Sequence, residues 1–384
     1  MTGRIALVAA LCAAALAGCS ANPPTPGPAA PALPAATGAE RLAGDCPETV
    51  AVQESWEPEA EHGVLYQLVG PGHTIDAERK RVSGPLVIDG RDTGVRIEIR
   101  AGGAAIGFTA VPAQMYLDRS LTLGAVHTDL AIGTSANQPV TAVVAPLNKS
   151  PQMLMWDPAT HPDWRTFADI GASGAKVLTS KANNSSALLV AEGLIKPDQV
   201  DTGYTGAPTR FVADPTIAQD GYATMEPYIY QHEIPSWNKP IRYQLHADAG
   251  YSIYPEALSV RTGELDRLSG CLTKLVPIIQ RAQRDYLRDP ARANRLIVET
   301  VAKYDDGWSY SAGVAGFAAN AMRELGIVAD DRSGPLGGID PARMQATIDT
   351  FAPILTRSGA SVRPGLTAAD LATARFLDPS ITLN

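Results

Sequence analysis

The chain has 384 residues, of which 45% are hydrophobic and 19% are charged, and its formal net charge is −8. This composition is ordinary for a globular protein, so global disorder is excluded. The negative balance argues against nucleic acid as a partner, because a phosphate backbone requires a basic surface.

The first residues read as an export signal. Arg4 is followed by an apolar run over residues 5–16, which is too short to span a bilayer as a helix. The run leads into the sequence LAGC, which ends at Cys19 and resembles a bacterial lipobox. The resemblance implies a signal peptide over residues 1–18 and a lipid on Cys19 that anchors the protein on the extracytoplasmic face of the bacterial cell membrane. The alternative is an ordinary signal peptide with an incidental cysteine.

Residues 19–44 are predicted to form a tether between the lipid and the folded part of the chain. The stretch over residues 22–38 contains six prolines and no charged residue. Such a sequence cannot form a core and is typical of a semi-extended spacer with polyproline II character.

The four cysteines predict one disulfide. Cys12 lies in the signal peptide and Cys19 is the lipidation site, which leaves Cys46 and Cys271 in the folded part. In an oxidising compartment we expect these two to be bonded, although two separate buried thiols remain the alternative. The six histidines show no ligand-like spacing, so neither a metal site nor a cofactor is predicted.

The pattern after Cys46 predicts an α/β fold. Strand-like runs over residues 49–53, 95–99 and 121–128 alternate with helical stretches. Strands separated by helices favour a parallel sheet with crossover connections.

Two extended segments, near residues 140–147 and 246–252, predict that the chain crosses between two lobes twice. The predicted lobe 1 comprises residues 45–143 and 250–384, and lobe 2 comprises residues 144–249. The C-terminal third is helical, because Leu265, Leu268, Leu272, Leu275 and Ile279 form an apolar stripe at helical spacing.

Signatures of common catalytic machineries are missing from the sequence, including GxSxG, GxxxxGK[ST] and GxGxxG. A carboxylate pair such as Glu226 and Glu233 would suit glycoside hydrolysis, but a solvated face or polar ligand contacts explain such a pair more simply. We therefore expect a binding protein without catalytic residues.

Three segments carry a family resemblance: ESWEPEAEH over residues 54–62, LGAVHTD over residues 123–129, and QDGYATMEPY over residues 219–228. Together they resemble the solute-binding proteins that serve sulfonate, nitrate and thiamine-pyrimidine-precursor ABC importers, over roughly residues 46–328. The resemblance implies the two-lobed type II periplasmic-binding-protein fold, with additional C-terminal helices in this chain. It also implies a small-molecule ligand between the lobes and a membrane permease as partner. We expect the protein to be a monomer.

The predicted ligand-binding residues of lobe 1 follow its strands. Glu54, Trp56 and Glu57 come after the first strand, and Asp129 ends the third. Trp56 is expected to stack on a flat ligand, and the carboxylates to accept hydrogen bonds from it. The structural alternatives are a core tryptophan, first-turn helix acids and a helix cap.

The predicted ligand-binding residues of lobe 2 are Asn183, Ser185, Tyr204, Glu226 and Tyr228. Asn183 and Ser185 precede an apolar helix, where free backbone N–H groups attract polar ligand atoms, although a plain N-cap is the alternative. Tyr204 follows a strand and is expected to close the pocket. Glu226 and Tyr228 follow another strand and are the strongest candidates of this lobe.

The candidate set is aromatic and acidic, and it includes no arginine or lysine. An anion usually requires a cationic clamp, so sulfonate and nitrate fit poorly, although helix N-termini can bind anions without basic side chains. A neutral or cationic planar compound with amino groups fits better, for example a pyrimidine vitamin precursor. The alternative functions are an enzyme of the same fold in vitamin-precursor synthesis and a surface sensor lipoprotein.

Overall fold

The structure is a computed structural model that describes residues 32–180, 184–331 and 334–383. The predicted signal peptide, the lipidation site Cys19 and the first half of the predicted tether lie outside the described residues, as does the predicted ligand-binding residue Asn183.

The described part of the chain contains twelve strands in two mixed sheets. In chain order they are β1 Thr49–Gln53, β2 Thr74–Asp76, β3 Arg81–Ile88, β4 Arg91–Arg100, β5 Leu123–Val126, β6 Val140–Val144, β7 Gln152–Trp156, β8 Val177–Leu178, β9 Val200–Asp201, β10 Ala218–Tyr222, β11 Arg242–Leu245 and β12 Ala257–Arg261.

The larger sheet has seven strands in the order β2-β3-β4-β1-β5-β12-β6. Only its centre is parallel: β1 pairs in parallel with β4 and β5, whereas the remaining pairs are antiparallel. The prediction of a parallel sheet is therefore wrong at both edges. One cause is the tight turn at Asp89 and Gly90, which both have positive φ and join β3 to β4 as a hairpin.

The smaller sheet has five strands in the order β11-β7-β10-β8-β9. It is built from residues 152–245, whereas the larger sheet uses residues 49–144 and 257–261. The chain thus passes between the sheets twice, over residues 145–151 and 246–256. These connections agree with the two predicted crossings. The assignment of every remaining residue to one of two lobes stays a prediction.

Twelve α-helices occur in the described residues. They are α1 Gly63–Gln67, α2 Val111–Leu117, α3 Thr128–Thr134, α4 Phe167–Ser173, α5 Ser185–Ala191, α6 Thr209–Ala213, α7 Glu226–His232, α8 Ser269–Arg288, α9 Ala291–Tyr304, α10 Ala312–Glu324, α11 Pro341–Arg357 and α12 Ala368–Leu371.

The long C-terminal helices complete the core of the larger sheet. Leu272, Leu275 and Ile279 of α8 are buried in the same cluster as Val50 and Val52 of β1, as the predicted apolar stripe requires. Burial of such stripes, rather than intrinsic helix propensity, supplies most of the stability of these helices. No helix of the residues described above is long and apolar enough to cross a membrane.

The helix α11 ties the two crossings together through Arg343. The Arg343 guanidinium donates to the carbonyl oxygen of Asn148 in the first crossing, at 2.6 Å. It also donates to the carbonyl oxygens of Ser252 and Ile253 in the second crossing, at 2.9 and 2.7 Å. Its guanidinium carbon lies 3.9 Å from the ring centroid of Tyr254. The C-terminal helices therefore hold the two connections between the sheets in a fixed relation.

The end of the predicted tether is not a free spacer. Ala36 donates its backbone N–H to the carbonyl oxygen of Asp92 at 2.7 Å, and Leu42 is fully buried in the core. The apolar residue at position 42 explains why this segment packs against the larger sheet instead of extending into water. A tether that ends at residue 44 is therefore too long, since residues 36–44 belong to the folded part.

The predicted disulfide is present. Cys46 and Cys271 are bonded, with their Cα atoms 4.6 Å apart. The bond joins the segment before β1 to the first turn of α8. An ion pair lies beside it, with Lys274 Nζ 2.6 Å from Asp45 Oδ2. The start of the chain's central strand is thereby fixed to the longest helix.

Candidate functional site

The segment over residues 54–62 leaves the centre of the larger sheet and carries most of its buried acids. Glu54 follows β1 directly and donates its backbone N–H to Arg100 of β4 at 2.9 Å. Gly102 allows the segment to pass closely, because a Cβ at that position would lie 2.3 Å from the Glu54 carbonyl oxygen. The acids of this segment are thus held at the carboxyl ends of the parallel strands, where open α/β sheets bind ligands.

Glu256 is the centre of a buried network that joins three distant segments. Its carboxylate lies 3.1 Å from Nε2 of His62 and 2.9 Å from Nε2 of His127, and it accepts a hydrogen bond from Ser55. Glu256 also has φ +52°, a left-handed conformation that costs an ordinary side chain roughly 1–3 kcal/mol. A residue that keeps such a conformation is held there by its surroundings.

The network is strongly polarised. Burial opposes the ionisation of Glu256, but His62 and His127 together hold the pKa of its carboxyl well below the usual range. Burial also disfavours a charged imidazole at His62, yet Glu54 and Glu256 raise the pKa of His62 to about 10. Burial raises the pKa of Glu54 to about 8, despite the attraction of His62. The electrostatics of the network therefore favour an ionised Glu256 beside a protonated His62, and they favour retention of a proton on Glu54.

Glu59 and Glu61 lie beside this network on the side of the smaller sheet. Burial, followed by the charge of Glu61, raises the pKa of Glu59 well above its usual range. Burial also raises the pKa of Glu61, which accepts a hydrogen bond from Thr224, a residue that follows β10 of the smaller sheet. The acids therefore lie at the junction between elements of the two sheets.

The smaller sheet contributes Glu226, the first residue of α7. Its carboxylate accepts a hydrogen bond from the Tyr204 hydroxyl at 3.2 Å and one from the backbone N–H of Tyr222 at 2.7 Å. Gly221 makes room for this side chain, because a Cβ there would lie 2.9 Å from the Glu226 carboxyl carbon. Burial raises the pKa of Glu226 to about 7.

A second contact between elements of the two sheets involves Asp129. The Asp129 carboxylate accepts hydrogen bonds from the side-chain amide of Asn184, at 2.9 Å, and from the hydroxyl of Tyr251, at 3.0 Å. Asp129 lies in the first turn of α3, so the predicted third strand ends earlier than expected, at Val126. Asp129 thus links the two halves of the chain.

Aromatic side chains lie next to the acids. The ring centroid of Trp56 is 6.2 Å from that of Trp308 and 5.8 Å from that of Phe108, whose side chain is 55% exposed. A Cβ on Gly206, in the loop after Tyr204, would lie 4.0 Å from the Trp308 ring. Trp56 is therefore only half-buried and belongs to an aromatic group, rather than to the core beneath the sheet.

Six glutamates define what we call the acidic cluster: Glu54, Glu57, Glu59, Glu61, Glu226 and Glu256. All six are buried. Burial, followed by the charge of Asp306, raises the pKa of Glu57 to about 7, although Lys80 opposes this shift. Among the residues that the structure describes, no group of three or more His, Cys, Asp or Glu is arranged to hold a metal ion.

The structure brings most of the predicted ligand-binding residues to this region, namely Glu54, Trp56, Glu57, Asp129, Tyr204 and Glu226. Ser185 begins α5, and its hydroxyl is fully buried without a hydrogen bond to any described residue. Tyr228 lies apart, because α7 directs its ring toward Phe317 of α10, at a centroid distance of 5.7 Å. We therefore leave Tyr228 out of the candidate site.

Several residues of the site are not among the predicted ones: Glu59, Glu61, His62, His127, Tyr222, Glu256 and Trp308. The sequence contains a signal for Glu59, Glu61 and His62, because the nine residues 54–62 include four glutamates, the first of them Glu54, and one histidine. Glu256 and His127 carry no local signal, since they meet only through the fold, at a sequence separation of 129.

The raised pKa values predict that the protein without ligand loses stability as the pH rises from 5.5 to 8.5. Glutamates of the unfolded chain lose their protons near pH 4.3, whereas Glu54 and Glu226 keep theirs to about pH 8 and 7 when folded. His62 acts in the same direction, because its stabilising proton is lost as the pH rises toward 10. Urea unfolding should therefore give a higher midpoint at pH 5.5, and a higher midpoint at pH 8.5 would contradict this electrostatic description.

Comparison with known proteins extends the description of the fold. No family model and no curated protein matches the chain by sequence. Among solved structures, the periplasmic aliphatic sulphonate binding protein SsuA from Escherichia coli superposes with a TM-score of 0.54 and 15% identity, over 88% of this chain and 94% of that one.

Two further structures have similar scores. The ligand-binding component of an ABC-type import system from Staphylococcus aureus, solved with zinc bound, gives a TM-score of 0.51 with 11% identity, over 85% of this chain and 97% of that one. The periplasmic nitrate-binding protein NrtA from Synechocystis PCC 6803 gives 0.50 with 11% identity, over 86% and 87%. The chain therefore has the fold of periplasmic solute-binding proteins.

Proposed function

We propose that this chain is the extracytoplasmic solute-binding component of an ABC importer and captures one small organic solute between two lobes. The observation that carries the proposal is the position of the acidic cluster. Glu61 and Asp129 follow strands of the larger sheet and contact Thr224 and Asn184, which belong to the part of the chain that forms the smaller sheet. A solute held there would contact both halves and stabilise their closed arrangement.

The anchoring and the partner are part of the same proposal. Cys19 would carry a lipid that holds the protein on the outer face of the cell membrane, where a permease would receive the closed, loaded form. The Cys46–Cys271 disulfide supports this location, because structural disulfides form and persist in oxidising compartments. The protein would act as a monomer that binds its solute without converting it.

For the solute we propose a planar compound with amino groups, for example a pyrimidine vitamin precursor, rather than a sulfonate or nitrate. The carboxylates offer acceptors for amino hydrogens, and Trp56 and Tyr204 offer flat surfaces. An anion would meet six buried carboxyl groups. The sulphonate and nitrate binding of the structural neighbours belongs to those proteins, whose sequence identity to this chain is 15% and 11%.

Native mass spectrometry of the purified protein tests the proposal. We expect the native mass to exceed the denatured mass by that of one small molecule, which can then be identified and titrated back. A chain that carries no molecule, and that no candidate solute stabilises against heat, would contradict a solute-binding role. Conversion of the bound molecule into a product would favour the alternative of an enzyme.

Trp56→Ala is expected to weaken binding of the co-purified solute by about tenfold or more, because the ligand loses its stacking surface. Titration calorimetry measures the change. Trp56→Phe is the matched control, since it keeps an aromatic face and should retain most of the affinity. An unchanged affinity of Trp56→Ala would remove Trp56 from the site.

A further inference from the structure

Glu59 is a buried carboxyl group without a partner. Its side chain is 7% exposed, and no hydrogen bond or ion pair joins it to another residue in the described ranges. Glu59 faces the part of the chain that forms the smaller sheet. After burial, the charge of Glu59 is the largest cause of the raised pKa of Tyr222, at the end of β10. A carboxyl group that is largely buried at such a junction, without a hydrogen bond or ion pair to a described residue, indicates a missing partner.

The charges around Glu59 do not balance. The only positive partners of the acidic cluster that lie within ion-pair distance, over the part of the chain that the structure describes, are His62 and His127, and both contact Glu256. Lys80 is engaged by Asp306 at 3.0 Å. Glu59, Glu61 and Glu226 therefore have no counter-charge of their own.

Buried charge of one sign requires compensation. Carboxyl groups in a region of low dielectric either take up protons or bind a cation. Glu57 supports the second possibility independently, because its Oε2 atom is buried without a hydrogen-bond partner in the described chain. Both glutamates follow Trp56 within three residues, and the Trp56 ring centroid lies 6.2 Å from that of Trp308. Indole faces attract organic cations, and they do so more strongly where water is excluded.

We propose that the solute is an organic cation, whose ammonium or amidinium group is held by Glu59 and the acidic cluster while its flat body lies against Trp56 and Trp308. This inference rests on the proposed solute-binding function and adds the charge of the bound species. A cation of this kind would supply hydrogen-bond donors to Glu57 and Glu59 and neutralise their charge at the same time.

Three planar probes of nearly equal size test the charge. Benzamidinium is a cation, benzamide is its neutral isostere, and benzenesulfonate is an anion. We expect titration calorimetry on the purified full-length protein at pH 8 to give an affinity for benzamidinium about tenfold or more above that for benzamide, and no binding of benzenesulfonate. Equal or tighter binding of benzamide or benzenesulfonate would overturn the cation proposal while solute binding stands.

Absence of benzamidinium binding would also overturn the cation proposal. A different result would contradict the proposed function itself: native mass spectrometry would find no bound molecule, and no solute of any charge would stabilise the protein.

Glu59→Gln provides the matched variant. It keeps the size of the side chain but removes its charge, so benzamidinium binding should weaken about tenfold while benzamide binding stays unchanged. Glu192→Gln removes one charge from an exposed position and should change neither. Equal loss for both probes in Glu59→Gln would indicate a structural role instead.

The pH dependence in the wild-type protein gives a second readout that needs no variant. The titratable groups that face Glu59 are Glu54, Glu61 and His62 on its own segment, Glu256 before β12, Tyr222 at the end of β10, and Tyr310 before α10. Protonated carboxyls attract a cation weakly, and they ionise as the pH rises from 6 to 8. Benzamidinium affinity should therefore rise over this range. A falling affinity would mean that ionised carboxylates do not hold the cation, which would overturn the proposal.

Discussion

Loss of the Cys46–Cys271 disulfide is expected to lower the free energy of unfolding by about 3–5 kcal/mol. The bond closes a loop of 225 residues, so its removal frees a large part of the unfolded chain and increases the entropy of that state. The same change leaves few native contacts broken, because Leu42 remains buried and Lys274 still reaches the carbonyl oxygen of Arg41 at 3.1 Å.

Denaturant unfolding of the oxidised and reduced wild-type protein measures the difference. The double variant Cys46→Ser with Cys271→Ser should unfold at the midpoint of the reduced wild type and should not respond to reductant. This insensitivity is the control for effects of the reductant itself. A wild-type midpoint that reduction leaves unchanged would mean that the two thiols are separate in solution, which is the alternative that the cysteine pattern leaves open.

The loss of this bond has a functional consequence as well. Cys46 lies three residues before Thr49, the first residue of β1, and the acidic segment follows β1 directly. The bond therefore fixes the strand that presents Glu54 and Trp56, and we attribute to it part of the positioning of the candidate site. A ligand that binds the native state would add its own stabilisation, so the comparison requires protein from which any bound solute has been removed.

Local signals in the sequence predicted the elements that depend on local chemistry. The strand predicted over residues 49–53 matches β1. In the structure, the Thr367 backbone N–H and hydroxyl also donate to the Asp370 carboxylate at the start of α12. Asp340 caps α11 through its carboxylate. Such elements are predictable because their stabilising contacts lie within a few residues.

Antiparallel pairing could be predicted only in part. The Asp89-Gly90 pair is a strong hairpin signal that the expectation of a parallel sheet does not use. The start of β12 at Ala257 has a different origin. Glu256 adopts its left-handed conformation because two histidines from distant segments hold its carboxylate, and nothing in the neighbouring residues announces this.

The candidate site shows the same division. Glu54, Trp56 and Glu226 could be found because each follows a strand, and carboxyl ends of strands are where α/β sheets bind ligands. The network around Glu256 could not, since its two histidines are 194 and 129 residues away in the chain. Glu59 could not be singled out either, because it is distinguished by burial without a counter-charge, and the sequence does not show which acids are buried.

Glu256→Ala is expected to lower the free energy of unfolding by about 3–5 kcal/mol, which is the usual cost of leaving a buried charge without its partner. The variant removes the acceptor of His62 and His127, both of which are buried. Without Glu256, burial opposes only the attraction of Glu54 and the other acids, so His62 should lose its proton at a lower pH. Imidazole resonances followed by NMR across the pH range report this loss of the proton directly, beside the unfolding measurement.

Two further substitutions at this position separate charge from backbone conformation. Glu256→Gly also removes the carboxylate, but glycine adopts φ +52° without steric cost, so it should be more stable than Glu256→Ala by about 1 kcal/mol. Glu256→Gln keeps a side-chain acceptor and should lose less than either. If Glu256→Ala destabilises by less than about 1 kcal/mol, the network contributes little and His62 cannot be a charged residue of the folded protein. If the expected order holds, one ionised glutamate is what keeps the two histidines in place, and the remaining acids of the cluster are left for the solute.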